Sequence, residues 1–482
     1  MRRLVFAVLT LAFAFALAGC GSSSSSGAPN PTVDALSYFP ASTPFVLTLA
    51  TNPQAPSIEQ AQGLIHKFPV VTLGETALFA RLGQLGIDYS KDIRPLFGNP
   101  IAIGAVGSSL TGTQTPFLVA WDTKSASGLS ALVPKLSGLQ SAGTHDGAKL
   151  YVAAGAAVAI DGATLIFARS TQIVESALDR HMHSQGFSSA QYEQSTAGIP
   201  QNGLIEAFGN LISVLSTAKM AKARRVPWVA AIKGYGASIS AGQTGLTIQY
   251  HIDTSGSTLA TSQLPIAGGS TAPSVAGDLP IQAAVRDPAQ IIDFAEAAAQ
   301  ATSPASYATF LKNQTTLEHK TGFDLSALIA MLTGDLVVES DTHTTIARAQ
   351  VSSPSSAATM LAKLAKPGGL AKASHLSSLG GGLYAVKSSK QTLTLGVIGN
   401  QLAIGKATPA QLHAFASAPT ASVSADTGSI TFRIAVADLL HITLRHPLSA
   451  TAQEFLNLLG DVTGSAGATT SGLTGTATLG FK

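Results

Sequence analysis

The chain has 482 residues, more than one ordinary core supports, since single domains stop growing near about 250–300 residues; two domains of about 200 residues each are expected. Charged residues make up 11% and hydrophobic ones 45%, well below the charge density of about 25% in typical globular chains. Without Arg2 and Arg3, the 29 basic residues become 27 against 26 acidic. That balance excludes the electrostatic footprint of a nucleic-acid binder.

The chain opens with Met1-Arg2-Arg3 and an apolar or neutral stretch over residues 4–17. This fits the positive and hydrophobic regions of a signal peptide and is too short to span a bilayer. It ends in Leu17-Ala18-Gly19-Cys20, which looks like the lipobox of bacterial lipoproteins. Leu17, Ala18 and Gly19 are expected to be read by a signal peptidase, and Cys20 to carry the lipid. Cys20 is the only cysteine, so neither an intramolecular disulfide nor a thiolate-rich metal site can form. Several acyl chains, palmitate among them, hold a protein far more firmly than one, because each buried methylene adds about 0.8 kcal/mol. Residues 1–19 are therefore expected to be a lipoprotein signal peptide. Residues 20–40 are expected to be the lipidated cysteine and a Gly/Ser-rich tether built on the serines at 22–26. Past the leader, no run approaches the roughly 18–20 apolar residues of a spanning helix.

The rest reads as one domain written twice. Pro44-Phe45-Val46-Leu47-Thr48-Leu49 aligns with Pro280-Ile281-Gln282-Ala283-Ala284-Val285. Gly86-Ile87-Asp88-Tyr89-Ser90 aligns with Gly322-Phe323-Asp324-Leu325-Ser326 at the same offset, and Leu96-Phe97-Gly98-Asn99 with Leu332-Thr333-Gly334-Asp335. Leu150-Tyr151-Val152 then matches Leu383-Tyr384-Ala385, and Thr244-Gly245-Leu246-Thr247 matches Ser471-Gly472-Leu473-Thr474. Five matches in order mark a duplication.

Local chemistry places the elements. Asn52-Pro53, Asp287-Pro288, Ser353-Pro354 and Thr408-Pro409 are strand-to-helix switches, with a capping oxygen followed by a proline that loses no hydrogen bond. Asn210 and Asp438 repeat the switch without proline. Asp161-Gly162 and Gly399-Asn400 are hairpin turns between apolar strands. Each copy is expected to run strand, helical segment, two strands, helix, three strands, helix, strand, helix and two closing strands. The class is α+β: two tandem diverged repeats, each a largely antiparallel sheet with helices packed on one face. The repeats are assigned to residues 41–253 and 278–482, with 254–277 as linker.

Several of these segments carry a family resemblance. Ala35-Leu36-Ser37-Tyr38-Phe39-Pro40-Ala41, the strand at 44–49, Leu85-Gly86-Ile87-Asp88 and Ile93-Arg94-Pro95-Leu96-Phe97-Gly98 resemble the bacterial family called domain of unknown function 3352. The resemblance implies an envelope protein, often with a leader and a duplicated body. It brings no activity, cofactor or catalytic residue.

Candidate sites read as structural. No Gly-x-Ser-x-Gly elbow occurs. Ser216-Thr217-Ala218-Lys219 has the Ser-x-x-Lys spacing but lacks the companion motifs of penicillin-recognising enzymes. Residues 399–406 imitate a Walker loop with five residues between the glycines instead of four and Ala407 where magnesium needs a hydroxyl; the repeat aligns them with a strand. His181 and His183 are the only close histidine pair, and on a helix their rings point about 200° apart. His441 and His446 flank Arg445 near an expected helix end, where cations favour the dipole. Asp88, Asp324 and Asp335 are expected in caps and turns. Lys219, Lys222, Arg224 and Arg225 read as a solvated helix end, with anionic lipid headgroups as the alternative.

No catalytic residue, cofactor or metal is therefore expected. The expected function is that of an extracytoplasmic, lipid-anchored, non-catalytic protein that binds or transfers a hydrophobic ligand in the cell envelope. A scaffold for envelope proteins is the alternative, and an enzyme ranks last.

Overall fold

A computed structural model of the chain describes residues 31–482, except 66–79, 81, 85, 108–115, 137, 154, 202, 270, 365–374, 388–390, 424–426 and 444–448. The expected leader, Cys20, the expected serine tether, Arg445 and His446 lie outside the described residues. The chain divides into two compact units, Met1–Ala218 with Ile232–Asp253, and Lys219–Ala231 with Thr254–Lys482.

In the first unit the strands are β1 Val46–Leu49, β2 Ile101–Ala105, β3 Phe117–Asp122, β4 Gln140–His145, β5 Ala148–Ala153, β6 Ala156–Asp161, β7 Thr164–Ala168, β8 Ile205–Asn210, β9 Gly234–Ala241 and β10 Gly245–Asp253. They pair antiparallel throughout, in the order β4-β5-β6-β7-β3-β2-β1-β8-β9-β10. The second unit adds β11 Val275–Ala276, β12 Ile281–Val285, β13 Leu332–Ser340, β14 Thr345–Val351, β15 His375–Gly380, β16 Leu383–Lys387, β17 Thr392–Ile398, β18 Gln401–Lys406, β19 Thr420–Ala421, β20 Ile430–Ala435, β21 Leu459–Thr469 and β22 Gly472–Phe481. Its sheet runs β15-β16-β17-β18-β14-β13-β12-β20-β21-β22, again all antiparallel. The two orders are the same order, strand for strand.

Smaller contacts repeat too. In the first unit Pro40 bridges Gly186, and Phe187 N–H donates to Phe39 O at 2.9 Å. In the second, β11 pairs with β19 at the corresponding place, before the first strand and after the helix that follows the hairpin. Gly86 and Gly322 each sit at positive φ, +74° and +69°, a conformation that glycine adopts without steric cost. Two residues later Asp88 and Asp324 cap helical turns, accepting from Lys91 N and Ala327 N.

The class is α+β, with one large antiparallel sheet per unit. The sequence placed the helices on one face of each sheet; in the structure they cover both. In the first unit Val46, Ala102, Leu118, Ala120 and Ile166 form a core with Leu36, Phe39, Val174 and Phe187. Their strand neighbours Leu49, Ile101, Trp121 and Ile160 form another with Ile93, Leu96, Leu129 and Leu132. Alternate residues of a strand point to opposite faces, so both faces are buried. The second unit has the same pair of cores, one with Ala284, Val337 and Leu412, the other with Val351, Leu361 and Leu395.

Other expectations need correcting. The tether does not extend to residue 40: Pro31–Leu36 is a helix, and Ala35, Leu36 and Phe39 are fully buried. Nor is 254–277 a loose linker, because Leu264, Ile266, Ala272, Val275 and Ala276 are buried. A fourth strand, β4 or β15, opens the group where three were expected. Of the four proline switches, Thr408 caps as expected, in a capping box with Gln411. Ser353 directly precedes the helix Pro354–Leu364. Asp287 is left-handed (φ 48°) with no side-chain cap bond, and after Asn52-Pro53 the helix starts only at Pro56. Asn210 accepts from Ile212 N at 2.9 Å, whereas Asp438 lies inside the first turn of Val436–Thr443. Among the described residues, no helix is long and apolar enough to cross a membrane.

Candidate functional site

The residues singled out in sequence do not gather. Ser216 Oγ donates to Ile212 O at 2.7 Å at the end of a short helix, so its hydroxyl is committed to backbone. Lys219, Lys222, Arg224 and Arg225 are exposed and lie on or beside two 3-10 turns, Ala218–Met220 and Ala223–Arg225, instead of at the end of a longer helix. Residues 401–406 form β18, and a strand cannot wrap a phosphate. His181 and His183 diverge: His181 stacks on Tyr38 with centroids 4.3 Å apart and its Nδ1 lies 2.6 Å from Ser37 Oγ, whereas His183 Nδ1 bonds Asp179 O at 2.7 Å. His441 Nε2 lies 3.4 Å from Gln453 Nε2. Asp335 pairs with Arg286 at 3.6 Å, and Asn99 donates to Asp122 at 3.0 Å.

Three other constellations stand out. The first consists of two tyrosine–carboxylate pairs in the first unit. Tyr38 donates to Asp161 at 2.9 Å and Tyr192 to Glu206 at 2.8 Å. Burial, with the neighbouring carboxylate second, pushes both phenols well above the usual tyrosine range. They stay protonated and donate, which satisfies the buried Glu206 and the half-buried Asp161.

The second is a cleft of about 360 Å³ in the second unit, lined among others by Ser274, Arg286, Asp335, Arg348, Gln350 and Gln401. Arg348 is only 6% exposed. Its guanidinium donates to Phe415 O, Ala416 O and Ala418 O and lies 5.1 Å from the Phe415 ring centroid. It thus caps the end of the helix Pro409–Ser417 by side chain, supplying donors that the last carbonyls lack.

The third lies at the β4–β5 turn. His145 Nε2 is 2.8 Å from Asp179 Oδ1, on the helix Thr171–Met182, and 3.6 Å from Asp146 Oδ2. Hydrogen bonding to Asp179 raises the His145 pKa, and the same bond lowers that of Asp179. Sequence spacing hides this cluster because 34 residues separate its halves. The Asp146-Gly147 turn dipeptide and the Glu175/Asp179 pair one helical turn apart were its only signals.

With the duplicated sheet and these sites in place, the comparison with known sequences is decisive for family. The chain belongs to the family described as protein of unknown function (DUF3352). The match covers residues 3–338, from the N-terminal apolar run into β13. No curated protein matches this DUF3352 chain. Among solved structures, crystal forms III and IV of TP0453 are similar to part of it, at 8% identity and a TM-score of 0.27 each. They cover 47% and 46% of this chain and 82% and 81% of their own. No property of the sites follows from that likeness.

Proposed function

We propose that this protein is an exported lipoprotein, anchored to the cell membrane outside the cytoplasm by acyl chains on Cys20. Its duplicated body is a non-catalytic module of the cell envelope that binds or hands on a hydrophobic ligand. The observation that carries this reading is the order of Arg2-Arg3, the apolar run at 4–17 and Leu17-Ala18-Gly19-Cys20, with the lone thiol at the cleavage point. Only residues 21–30 separate that thiol from the first helix at Pro31, so the start of the body lies within about 40 Å of the anchor.

Phe310 and Leu311 are exposed on the helix Pro304–Thr321, which offers apolar surface. The cleft beside Arg348 is lined by charged and amide side chains and does not suit a lipid tail. That polarity favours the second reading, an interaction scaffold that works through its surfaces.

The test is mass spectrometry of the full chain extracted from bacterial membranes. An N-terminal peptide carrying diacylglyceryl-Cys20 is expected, with C20A released unmodified from the membrane fraction. A wild-type protein with a free thiol overturns the anchor. Native spectra of the anchored protein without any co-purifying lipid overturn the hydrophobic ligand and leave the scaffold.

A further inference from the structure

We propose that His145, Asp146 and Asp179 form a binding site for a first-row divalent cation, of which Zn²⁺ fits best, clamping the β4–β5 turn to the helix Thr171–Met182.

The donor set and its spacing carry the inference. One imidazole nitrogen and two carboxylate oxygens face each other, all within 4.8 Å. Zinc binds such nitrogen and oxygen donors at about 2.0–2.2 Å in a tetrahedron, which places the donors about 3.3–3.5 Å apart. The observed separations of 2.8 and 3.6 Å from His145 Nε2 bracket that value. The third separation, between the two carboxylates, is at most 4.8 Å, and rotation of the two exposed aspartate side chains brings their oxygens to the spacing zinc requires. Three protein ligands leave a fourth position for water, and the imidazole favours zinc over calcium or magnesium, which take oxygen donors.

Charge points the same way. Two carboxylates meet one imidazole, and among the described residues His145 is the only side chain in an ion pair with either aspartate. Glu175, one helical turn before Asp179, adds to the negative field at His145. Without metal, the Nε2 proton bridges to Asp179; a cation replaces that proton with a full double charge. The backbone holds the donors in place. Asp146 sits at φ 47° in the two-residue turn, and the helix carrying Asp179 is capped by Ser170 and packs on β6 and β7. The second unit supplies a natural contrast, because its corresponding β15–β16 turn is Gly380-Gly381-Gly382, with no donor side chain.

The test uses the full chain, purified in detergent and stripped with chelator, titrated with Zn²⁺ by calorimetry and with Co²⁺ by visible absorption. One saturable equivalent is expected, with the d–d bands of a tetrahedral or five-coordinate nitrogen–oxygen site. H145Q and D179N are each expected to weaken it at least tenfold, and H343Q, in a turn of the second unit, to leave it unchanged. Absence of saturable uptake overturns the proposal. So does uptake unchanged in either H145Q or D179N, or lost equally in H343Q.

Discussion

The two units share a strand order and differ in what lies on one face of the sheet. The pairing registers place Arg348 where the first unit has Ala120. Ala120 opposes Ala102 and Ile166, and Arg348 opposes Val337 and Ala403. In the first unit the helix Pro31–Leu36 packs on β2 and β3, and Leu36 and Phe39 join Ala120 in one core. Such close approach demands a small residue below. In the second unit Thr271, Ala272, Pro273 and Ser274 stand at the corresponding place and line an open cleft. A long arginine fits there and reaches across to the end of the helix Pro409–Ser417. One backbone therefore tolerates a dry, filled face or a polar, recessed one, depending on whether a helix or an irregular segment precedes its first strand.

Exchanging those two positions tests the contrast. The chain has two tryptophans, Trp121 in the first unit and Trp228 in the second, so each unit has its own fluorescent reporter. Ala120→Arg is expected to have the largest effect. It overfills a closed core and buries a charge without partners, at a cost of about 4 kcal/mol or more. Trp121 emission should shift to the red while Trp228, read in a W121F background, keeps its native transition. Arg348→Met should cost less, about 2–3 kcal/mol in urea unfolding followed by Trp228. It strips three carbonyls of their donor, but the cleft admits water to replace it. Equal costs for both changes would mean that the faces are packed alike.

Much of this was legible in the sequence, and the physical reason can be given residue by residue. The duplication showed because turns and caps constrain short motifs: Gly86 with Asp88 and Gly322 with Asp324 keep both the left-handed φ and the capping carboxylate. The hairpin at Gly399-Asn400 was announced by its turn residues, and the one announced by Asp161-Gly162 turns one residue later, at Gly162-Ala163. The edge strands β4 and β15 were not. Gln140–His145 is exposed along nearly its whole length, so it carries no apolar alternation, and only backbone pairing reveals it. Burial on both faces was written in runs such as Ile101-Ala102-Ile103, which lack the alternation of a half-exposed strand. The helix Pro31–Leu36 was missed because six residues give too short a period to separate from the polar tether before it. Arg348 and the His145 cluster depend on pairs 34 or more residues apart, which spacing alone cannot reach.

The smallest expected effect belongs to the pair that only the first unit has. The Asp179 carboxylate, by its hydrogen bond, holds the His145 imidazole above its ordinary value. That contribution is complete below the ordinary histidine pKa and fades as pH rises through the raised one. His145 in turn holds Asp179 below its ordinary value, a contribution present above the usual carboxylate pKa and lost as pH falls through the lowered one. Both are in force between about pH 4 and 6.5. In chelator, the Tm difference between wild type and H145Q, read from Trp121, should peak in that window and vanish toward pH 9. Trp228 should show no such profile, since no equivalent pair spans the Gly380-Gly381-Gly382 turn. Adding Zn²⁺ should move the peak above about pH 6.5, because a metal ligand must be neutral imidazole and protons compete with the ion. A profile that zinc leaves in place would keep the ion pair and remove the metal.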